Sequence, residues 1–191
     1  AVIKHQNPCG VSVSKTLESA FQKALACDPV SAFGGIVALN RTVDKATADH
    51  LNKANFLEVI AAPDFDSESL DLLKKKKNRR LIKIDAPVEC DQPLDLRLLH
   101  NGALIQSTDR SIDRRDTFSI MTKTHPTEAE WSDLMFGWTV CRFVKSNAIV
   151  CATSGMATGI GAGQMSRVDS VEIALTKAGE TAKGGDRKSV V

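Results

Sequence analysis

The first ten residues, AVIKHQNPCG (1–10), decide how the chain is organised. The apolar residues 1–3 predict a short buried strand, and the segment from Asn7 to Gly10 predicts a turn after it. Lys4 and His5 would then stand at the carboxyl end of the strand, where open α/β sheets border their ligand crevice. A cation beside a histidine favours the neutral, basic imidazole, which suits proton transfer near pH 7. For the pair alone, a solvated lysine beside a packed histidine is the better interpretation, so the rest of the chain has to decide.

Composition places the chain among ordinary globular proteins. Its 191 residues suffice for one α/β domain with a core, or for one domain and part of a second. The net charge of +2 makes no case for a nucleic acid or a membrane surface as partner, and no apolar run approaches the roughly 20 residues that span a bilayer. The five cysteines are scattered and form no C-x-x-C pair. We therefore expect no zinc site and a reducing, cytoplasmic compartment.

Hydrophobic periodicity and turn signals outline the remaining elements. Helices are predicted at 16–27, 43–54, 67–76, 127–144 and from residue 166 onward. Strands are predicted at 36–39, 57–63, 81–84, 94–106 with a bend at 101–102, 117–123, and as a hairpin that turns back at 153–155, whereas 88–93 is predicted to be a loop. Thr127 and Glu130 have the spacing of a capping box. Helices and strands alternate, which predicts an α/β fold.

Two features near the predicted strands could carry binding chemistry. Gly34 and Gly35 precede an apolar strand, and paired glycines let the backbone approach a ligand closely, although a tight turn explains them equally well. Glu58 interrupts the apolar run 57–63, where a carboxylate is costly to bury unless it is paired or binds something. A solvated strand entrance is the alternative for Glu58, and local evidence does not separate the two.

A glycine-rich segment precedes the last predicted helix. Gly159, Gly161 and Gly163 alternate with other residues, and Arg167 follows at the helix start. Glycines ahead of a helix N-terminus make an anion site from backbone N–H groups, to which a guanidinium adds a fork of donors. The spacing differs from the dinucleotide-binding fingerprint, so this motif alone is a weak signal.

Taken together, four segments resemble the AICAR transformylase half of the AICAR transformylase/IMP cyclohydrolase family. They are IKHQNPCG (3–10), DPVSAFGGIVALN (28–40), EVIAAP (58–63) and FVKSNAIVCATSGMATGIGAGQMSR (143–167). The resemblance is collinear and covers about residues 1–180. Several long motifs in the right order are far more specific than any one of them.

The resemblance implies an α/β fold with a mixed β-sheet flanked by helices, similar to cytidine deaminases. It implies a first subdomain at 1–125, truncated at its N-terminus, and the start of a second, similar subdomain at 126–183. Residues 184–191 match nothing in the family, so we expect them to be a non-native tail. The cyclohydrolase part and the family's C-terminal motifs have no counterpart here, so we expect an internal fragment. Thr153-Ser154 also stands where the family pattern has a Lys-Asn-type pair.

The resemblance also implies an activity: formyl transfer from 10-formyltetrahydrofolate to the 5-amino group of AICAR in purine (IMP) biosynthesis. In that reaction His5 would be the general base, Lys4 would stabilise developing charge, and Asn147 would orient the reacting groups. The resemblance also places Gly34, Glu58 and Arg167 beside the nucleotide and Val168 beside the folate. Phe33 adjoins the nucleotide site and would pack on a ring.

Expectations about cofactors and partners come from the same resemblance. The co-substrates would be AICAR and 10-formyltetrahydrofolate, a structural potassium ion would lie near Val144 and Ser146, and the parent enzyme would be a homodimer. One alternative is a catalytically incomplete fragment of that enzyme. A zinc nucleoside deaminase is less favoured, because such enzymes need a His-x-Glu or Cys-x-Glu element and Pro-Cys-x-x-Cys, which the sequence lacks.

Overall fold

The computed structural model describes residues 1–54, 56–84, 94–109 and 112–183, together with the backbone of 186–190. The described strands are β1 Val2–Lys4, β2 Asn7–Gly10, β3 Gly35–Ala38, β4 Leu57–Ala62, β5 Arg80–Lys83, β6 Leu94–Leu99, β7 Gly102–Ser107, β8 Ala148–Thr153, β9 Met156–Gly161 and β10 Asp186–Val190. The described α-helices are α1 Leu17–Cys27, α2 Lys45–Lys53, α3 Ser67–Leu73, α4 Glu128–Cys141 and α5 Arg167–Ala178. The chain divides into two compact units, Ala1–Ile84 with Pro126–Val191, and Asp85–His125.

The main sheet of the first unit is mixed. Its strand order is β2-β1-β3-β4-β5. Strand β1 is antiparallel to both β2 and β3, whereas β3, β4 and β5 run parallel. Helices α1, α2 and α3 contribute buried side chains to the core of this sheet, among them Phe21, Leu51 and Leu73. The predicted mixed sheet flanked by helices is confirmed, and the similarity to cytidine deaminases stays a prediction.

The predicted helices are all present because their start signals are local. Each helix follows a residue whose side-chain oxygen accepts a backbone N–H of the first turn. These caps are Thr16, Asp44, Asp66, Thr127 and Ser166. At α4 the predicted capping box is confirmed: the Thr127 N–H donates to Glu130 Oε2 at 2.6 Å, and the Glu130 N–H donates to Thr127 Oγ1 at 3.3 Å.

The predicted turn at 7–10 is wrong. Those residues form β2, and the chain reverses one step earlier, at His5 and Gln6, whose φ angles are +49° and +66°. Pro8 is tolerated in β2 because β2 is the edge strand of the sheet, where a missing N–H removes no interior ladder bond. The strand at the start of the chain is confirmed, and it ends at Lys4.

The second sheet belongs to the same compact unit. Strand β8 pairs antiparallel with β9 and with β10, which confirms the predicted hairpin. Cys27 of α1 packs in one buried cluster with Val140, Val150 and Ile160, so residues 126–183 share a core with the first 84 residues. By compactness, residues 126–191 group with residues 1–84, and residues 85–125 form a unit of their own. The subdomain division 1–125 and 126–183 and the non-native origin of 184–191 stay predictions.

The unit 85–125 has a simpler structure. Strands β6 and β7 form an antiparallel hairpin, and its turn falls at His100 and Asn101, which confirms the predicted bend. The strand predicted at 117–123 is wrong: a 3₁₀ turn at Arg115–Thr117 leads into irregular chain, and none of the described strands pairs with it. The loop predicted at 88–93 lies outside the described residues.

None of the helices in the described part of the chain combines the length and the apolar character that crossing a membrane requires.

Candidate active site

Antiparallel pairing of β1 with β3 brings the two N-terminal motifs together. The carboxyl end of β1 lies beside the amino end of β3, so Lys4 reaches the loop before β3. The Lys4 ammonium donates a hydrogen bond to the Phe33 carbonyl oxygen at 2.6 Å. The cluster therefore stands at the amino ends of the parallel strands, not at the carboxyl ends that the general rule for α/β sheets favours.

Gly34 occupies a position whose backbone conformation favours glycine. Its φ is +66°, and an added Cβ would lie 3.1 Å from the Lys4 Nζ atom. Its N–H donates to the Phe56 carbonyl oxygen at 2.7 Å. The Phe33 and Phe56 rings lie 5.9 Å apart at their centroids in a tilted arrangement, and Phe33 remains 60% exposed. The predicted ring-packing residue thus presents an open aromatic face beside the lysine.

Glu58 is a paired surface carboxylate. It is the second residue of β4, and its Oε1 accepts a hydrogen bond from Arg80, the first residue of β5, at 2.8 Å. Both side chains are about half exposed. Glu58 therefore stands at a partly exposed strand entrance, at the same sheet end as Lys4 and Gly34, and its role in binding stays a prediction. A ligand that binds Glu58 would meet Arg80 with it.

Asn147 is held by its backbone and by one end of its amide. Its N–H and its Nδ2 both donate to the Gln164 carbonyl oxygen, at 3.1 and 2.9 Å, and Nδ2 also reaches the Met165 carbonyl oxygen at 3.1 Å. The buried Ser170 hydroxyl donates to the Asn147 carbonyl oxygen at 2.8 Å. Within the described residues the Oδ1 atom has no hydrogen bond, so it can accept one from a ligand amine.

The Asn147 segment and the Lys4–His5 turn meet through one side chain. Asn7, opposite Lys4 in the β1–β2 register, accepts a hydrogen bond at Oδ1 from the Lys145 N–H at 2.9 Å. His5 is exposed at the tip of the turn. The structure therefore places all three predicted catalytic residues in one compact unit.

Two of the three glycines in the glycine-rich segment serve packing, and the anion site at the start of α5 stays a prediction. A Cβ on Gly159 would lie 2.0 Å from the Ala174 carbonyl oxygen, and a Cβ on Gly161 would lie 2.0 Å from that of Ser170. These two glycines let α5 lie directly on β9. Gly163 occupies the turn, and its N–H already donates to the Lys145 carbonyl oxygen at 2.7 Å.

Arg167 and Val168 open helix α5, and both side chains are exposed. Ser166 caps this helix, and its hydroxyl accepts the Val168 N–H at 3.2 Å. The structure thus makes both side chains available to a ligand, and it brings the start of α5 near Asn147 through the Ser170 bond.

Cys9 is not a reactive thiol. Burial, reinforced by the negative charge of Asp28, raises the pKa of Cys9 to about 11. Its Sγ donates to the Val2 carbonyl oxygen at 3.5 Å. A thiol is a nucleophile only as its thiolate, so Cys9 acts as a core residue. Within the described ranges, no three His, Cys, Asp or Glu side chains gather in a way that could hold a metal ion.

The segment predicted to lie near potassium offers oxygen atoms. The Lys145 carbonyl is used by Gly163, whereas the carbonyl oxygens of Val144 and Ser146 accept no hydrogen bond from the described residues. Oxygen donors of this kind suit a hard cation. The residues present are compatible with the predicted ion.

Four residues at this site were absent from the sequence predictions: Asn7, Phe56, Arg80 and Gln164. Asn7 stands inside the quoted N-terminal motif, and an amide just before a proline is a usable signal for a turn contact. The other three act through partners that strand pairing or chain reversal supplies, so no local pattern marks them.

Comparison with known proteins relates the chain to one family. The model of the AICARFT/IMPCHase bienzyme family matches residues 1–177. The bifunctional purine biosynthesis protein PurH of Bacillus subtilis (strain 168) is 50% identical over 182 residues, which are 95% of this chain and 35% of that protein. The proteins of the same name from Anoxybacillus flavithermus and Bacillus mycoides are 48% and 47% identical with the same coverage. The chain thus spans 35% of the length of these curated relatives.

Proposed function

The chain belongs to the AICARFT/IMPCHase bienzyme family, and from that premise we propose that it carries a formyl-transfer site for purine biosynthesis. The substrates would be 10-formyltetrahydrofolate and the 5-amino group of AICAR. The observation that supports this most directly is the hydrogen bond between Asn7 and Lys145, because it joins the Lys4–His5 turn to the segment that presents Asn147.

The proposed chemistry needs a base, a positive charge and an orienting acceptor. The AICAR amine is a weak nucleophile because its lone pair is delocalised into the imidazole ring. As the amine nitrogen attacks the formyl carbon, the carbonyl oxygen becomes an oxyanion and the nitrogen becomes acidic. His5 takes the proton from nitrogen, and the Lys4 ammonium stabilises the oxyanion. The oxyanion then collapses to a carbonyl as the carbon–nitrogen bond to the folate breaks, and the protonated His5 returns its proton to the departing folate nitrogen.

The remaining predicted residues would bind and orient. The open Asn147 Oδ1 would accept a hydrogen bond from the amine, and the exposed Phe33 ring would stack on a ligand ring. Arg167 would attract the nucleotide phosphate, and Gly34 with Glu58 would contact the nucleotide. Val168 would border the folate. These assignments, like the similarity to cytidine deaminases, the homodimer and the cytoplasmic location, belong to the proposal.

Potassium would act structurally in this proposal. The carbonyl oxygens of Val144 and Ser146 would hold it, beside the segment that carries Asn147. A cation bound there would supply positive charge and would hold the backbone of this segment in place. The formyl transfer itself would be carried out by His5, Lys4 and Asn147.

The test grafts residues 1–177 in place of the matching segment of the Bacillus subtilis relative. We expect the graft to form tetrahydrofolate when AICAR and 10-formyltetrahydrofolate are supplied. His5→Asn should lower kcat by about 10²–10⁴-fold, the usual worth of a general base, while AICAR binding survives. Asparagine is chosen because it tolerates the positive φ of position 5. His100→Asn, an exposed histidine of the other unit, is the matched control. Full turnover in His5→Asn would overturn the base assignment.

The coverage of the relatives favours a second candidate, a catalytically incomplete part of the same enzyme. The 191 residues span 35% of the length of these relatives, so they need not make a complete site by themselves. Calorimetric titration of the chain with AICAR distinguishes the two. Binding of AICAR at micromolar concentration would support a competent nucleotide site in the chain. If the titration shows no heat of binding while the graft is active, the site of the chain alone is incomplete.

A further inference from the structure

We propose that Asn7 is a positioning residue for the formyl transfer. It would hold the Lys4–His5 turn at one fixed placement relative to Asn147. This inference rests on the proposed function, and it adds a residue for which no role was predicted from the sequence.

The amide of Asn7 bonds both partners at once. Its Nδ2 donates to the His5 carbonyl oxygen at 3.4 Å, and its Oδ1 accepts the Lys145 N–H at 2.9 Å. Lys4 lies directly across the β1–β2 ladder from Asn7. The turn carries His5, the proposed base. The planar Asn7 side chain therefore links this turn to Lys145, which is 138 residues away in sequence from Asn7.

The Lys145 peptide is itself fixed on its other side. Its carbonyl oxygen accepts the Gly163 N–H at 2.7 Å, and two residues later the Asn147 N–H donates to Gln164. A displacement at Lys145 is therefore passed to Asn147 through a short, hydrogen-bonded stretch. Within the described residues, the Asn7–Lys145 bond is the one hydrogen bond between residues 4–7 and 144–168.

The bond is suited to positioning more than to stability. It is exposed, so water can replace either partner at small cost to the folded state. Catalysis is more sensitive, because a misplacement of about 1 Å between reacting groups can cost about 10²-fold in rate. Loss of Asn7 should therefore affect turnover much more than folding.

The first test measures the hydrogen bond directly by amide exchange of Lys145 in the 191-residue chain. Asn7→Ala removes the acceptor and should speed exchange of the Lys145 amide by about fivefold to tenfold. Asn7→Asp keeps an acceptor oxygen at the same place and should retain the protection. Asn40→Ala is the matched control, since Asn40 is exposed and makes no hydrogen bond to the described residues. Unchanged exchange in Asn7→Ala would overturn the proposal.

The second test measures turnover in the graft described above. Asn7→Ala should lower kcat by about 10-fold to 100-fold with little change in the KM for AICAR. Asn7→Asp keeps the acceptor for Lys145 but loses the donor to the His5 carbonyl, so it should recover only part of the loss. Faster exchange with unchanged kcat would overturn the positioning role and leave a merely structural bond. If the unsubstituted graft transfers no formyl group, the proposed function fails and the positioning role fails with it, whereas the exchange data still report the bond.

Discussion

Replacing Gly161 with alanine should destabilise the main unit strongly, because α5 lies directly on β9 at this point. An ideal Cβ on residue 161 would stand 2.0 Å from the Ser170 carbonyl oxygen, 2.8 Å from its carbonyl carbon and 3.0 Å from its Cα. Ordinary contact begins at 3.4 Å. All three atoms belong to the helix backbone, so no side-chain rotation relieves the overlap, and the helix has to retreat by about 1.4 Å.

That retreat also breaks a partly buried hydrogen bond. The Ser170 hydroxyl donates to the Asn147 carbonyl oxygen at 2.8 Å, and an added 1.4 Å or so takes the pair beyond hydrogen-bond range. Overpacking costs about 1–3 kcal/mol, and the lost bond costs about 1 kcal/mol more. We therefore expect Gly161→Ala to lower the free energy of unfolding by about 2–4 kcal/mol, a large part of the 5–15 kcal/mol or so of a typical domain.

Urea unfolding followed by tryptophan fluorescence measures this loss, because both tryptophans, Trp131 and Trp138, lie in α4 of the same unit. The midpoint should fall by about 1–2 M with little change in slope. Gly163→Ala is the control: its φ of +69° strains alanine, but no atom lies within 4 Å of the added Cβ, so it should cost only about 1–2 kcal/mol. If Gly161→Ala costs no more than Gly163→Ala, the close-packing argument is refuted.

Three further outcomes are expected from unfolding measurements on the chain. Burial raises the pKa of Asp28, but hydrogen bonds from Lys177 and Ser31 outweigh burial and hold that pKa below its usual range. The Asp28–Lys177 pair therefore stabilises the fold above about pH 4, and its contribution is lost as pH falls through the lowered pKa. Lys177→Met should cost about 1–3 kcal/mol near neutral pH and much less in acid, and an equal loss at both pH values would contradict this. Thr127→Ala should lower the free energy of unfolding by about 0.5–2 kcal/mol, because it removes the capping box. An unchanged stability would contradict the role of the cap. Gly34→Ala should cost about 1–2 kcal/mol from its positive φ, and an alanine that is neutral or stabilising there would show that the loop relaxes.

Helices and their starts could be predicted from the sequence because their causes are local. The cap at Thr16 or Thr127 acts within one turn, and amphipathic spacing is complete within about 11–18 residues. The β8–β9 hairpin was equally accessible, since a short reversal joins its two apolar runs. The family was accessible for a different reason, because long motifs in a fixed order carry more information than any physical pattern in them.

The contacts among the predicted site residues could not be predicted from the sequence. Lys4 and Gly34 lie 30 positions apart, and only the antiparallel pairing of β1 with β3 brings the ammonium to the Phe33 carbonyl. The pairing of Glu58 with Arg80 likewise depends on β4 and β5 being neighbours. Such contacts are decided by which strands meet, and no window of sequence contains both partners.

The opening stretch shows both sides of this division. By itself the sequence determined that a short strand carries Lys4 at its end and that His5 follows. The tertiary structure decided that the chain turns on His5 and Gln6, that Pro8 lies in an edge strand, and that Asn7 reaches Lys145. The physical reason is that backbone and apolar preferences act between near neighbours, whereas left-handed turns and long-range hydrogen bonds are selected by the packing of the whole unit.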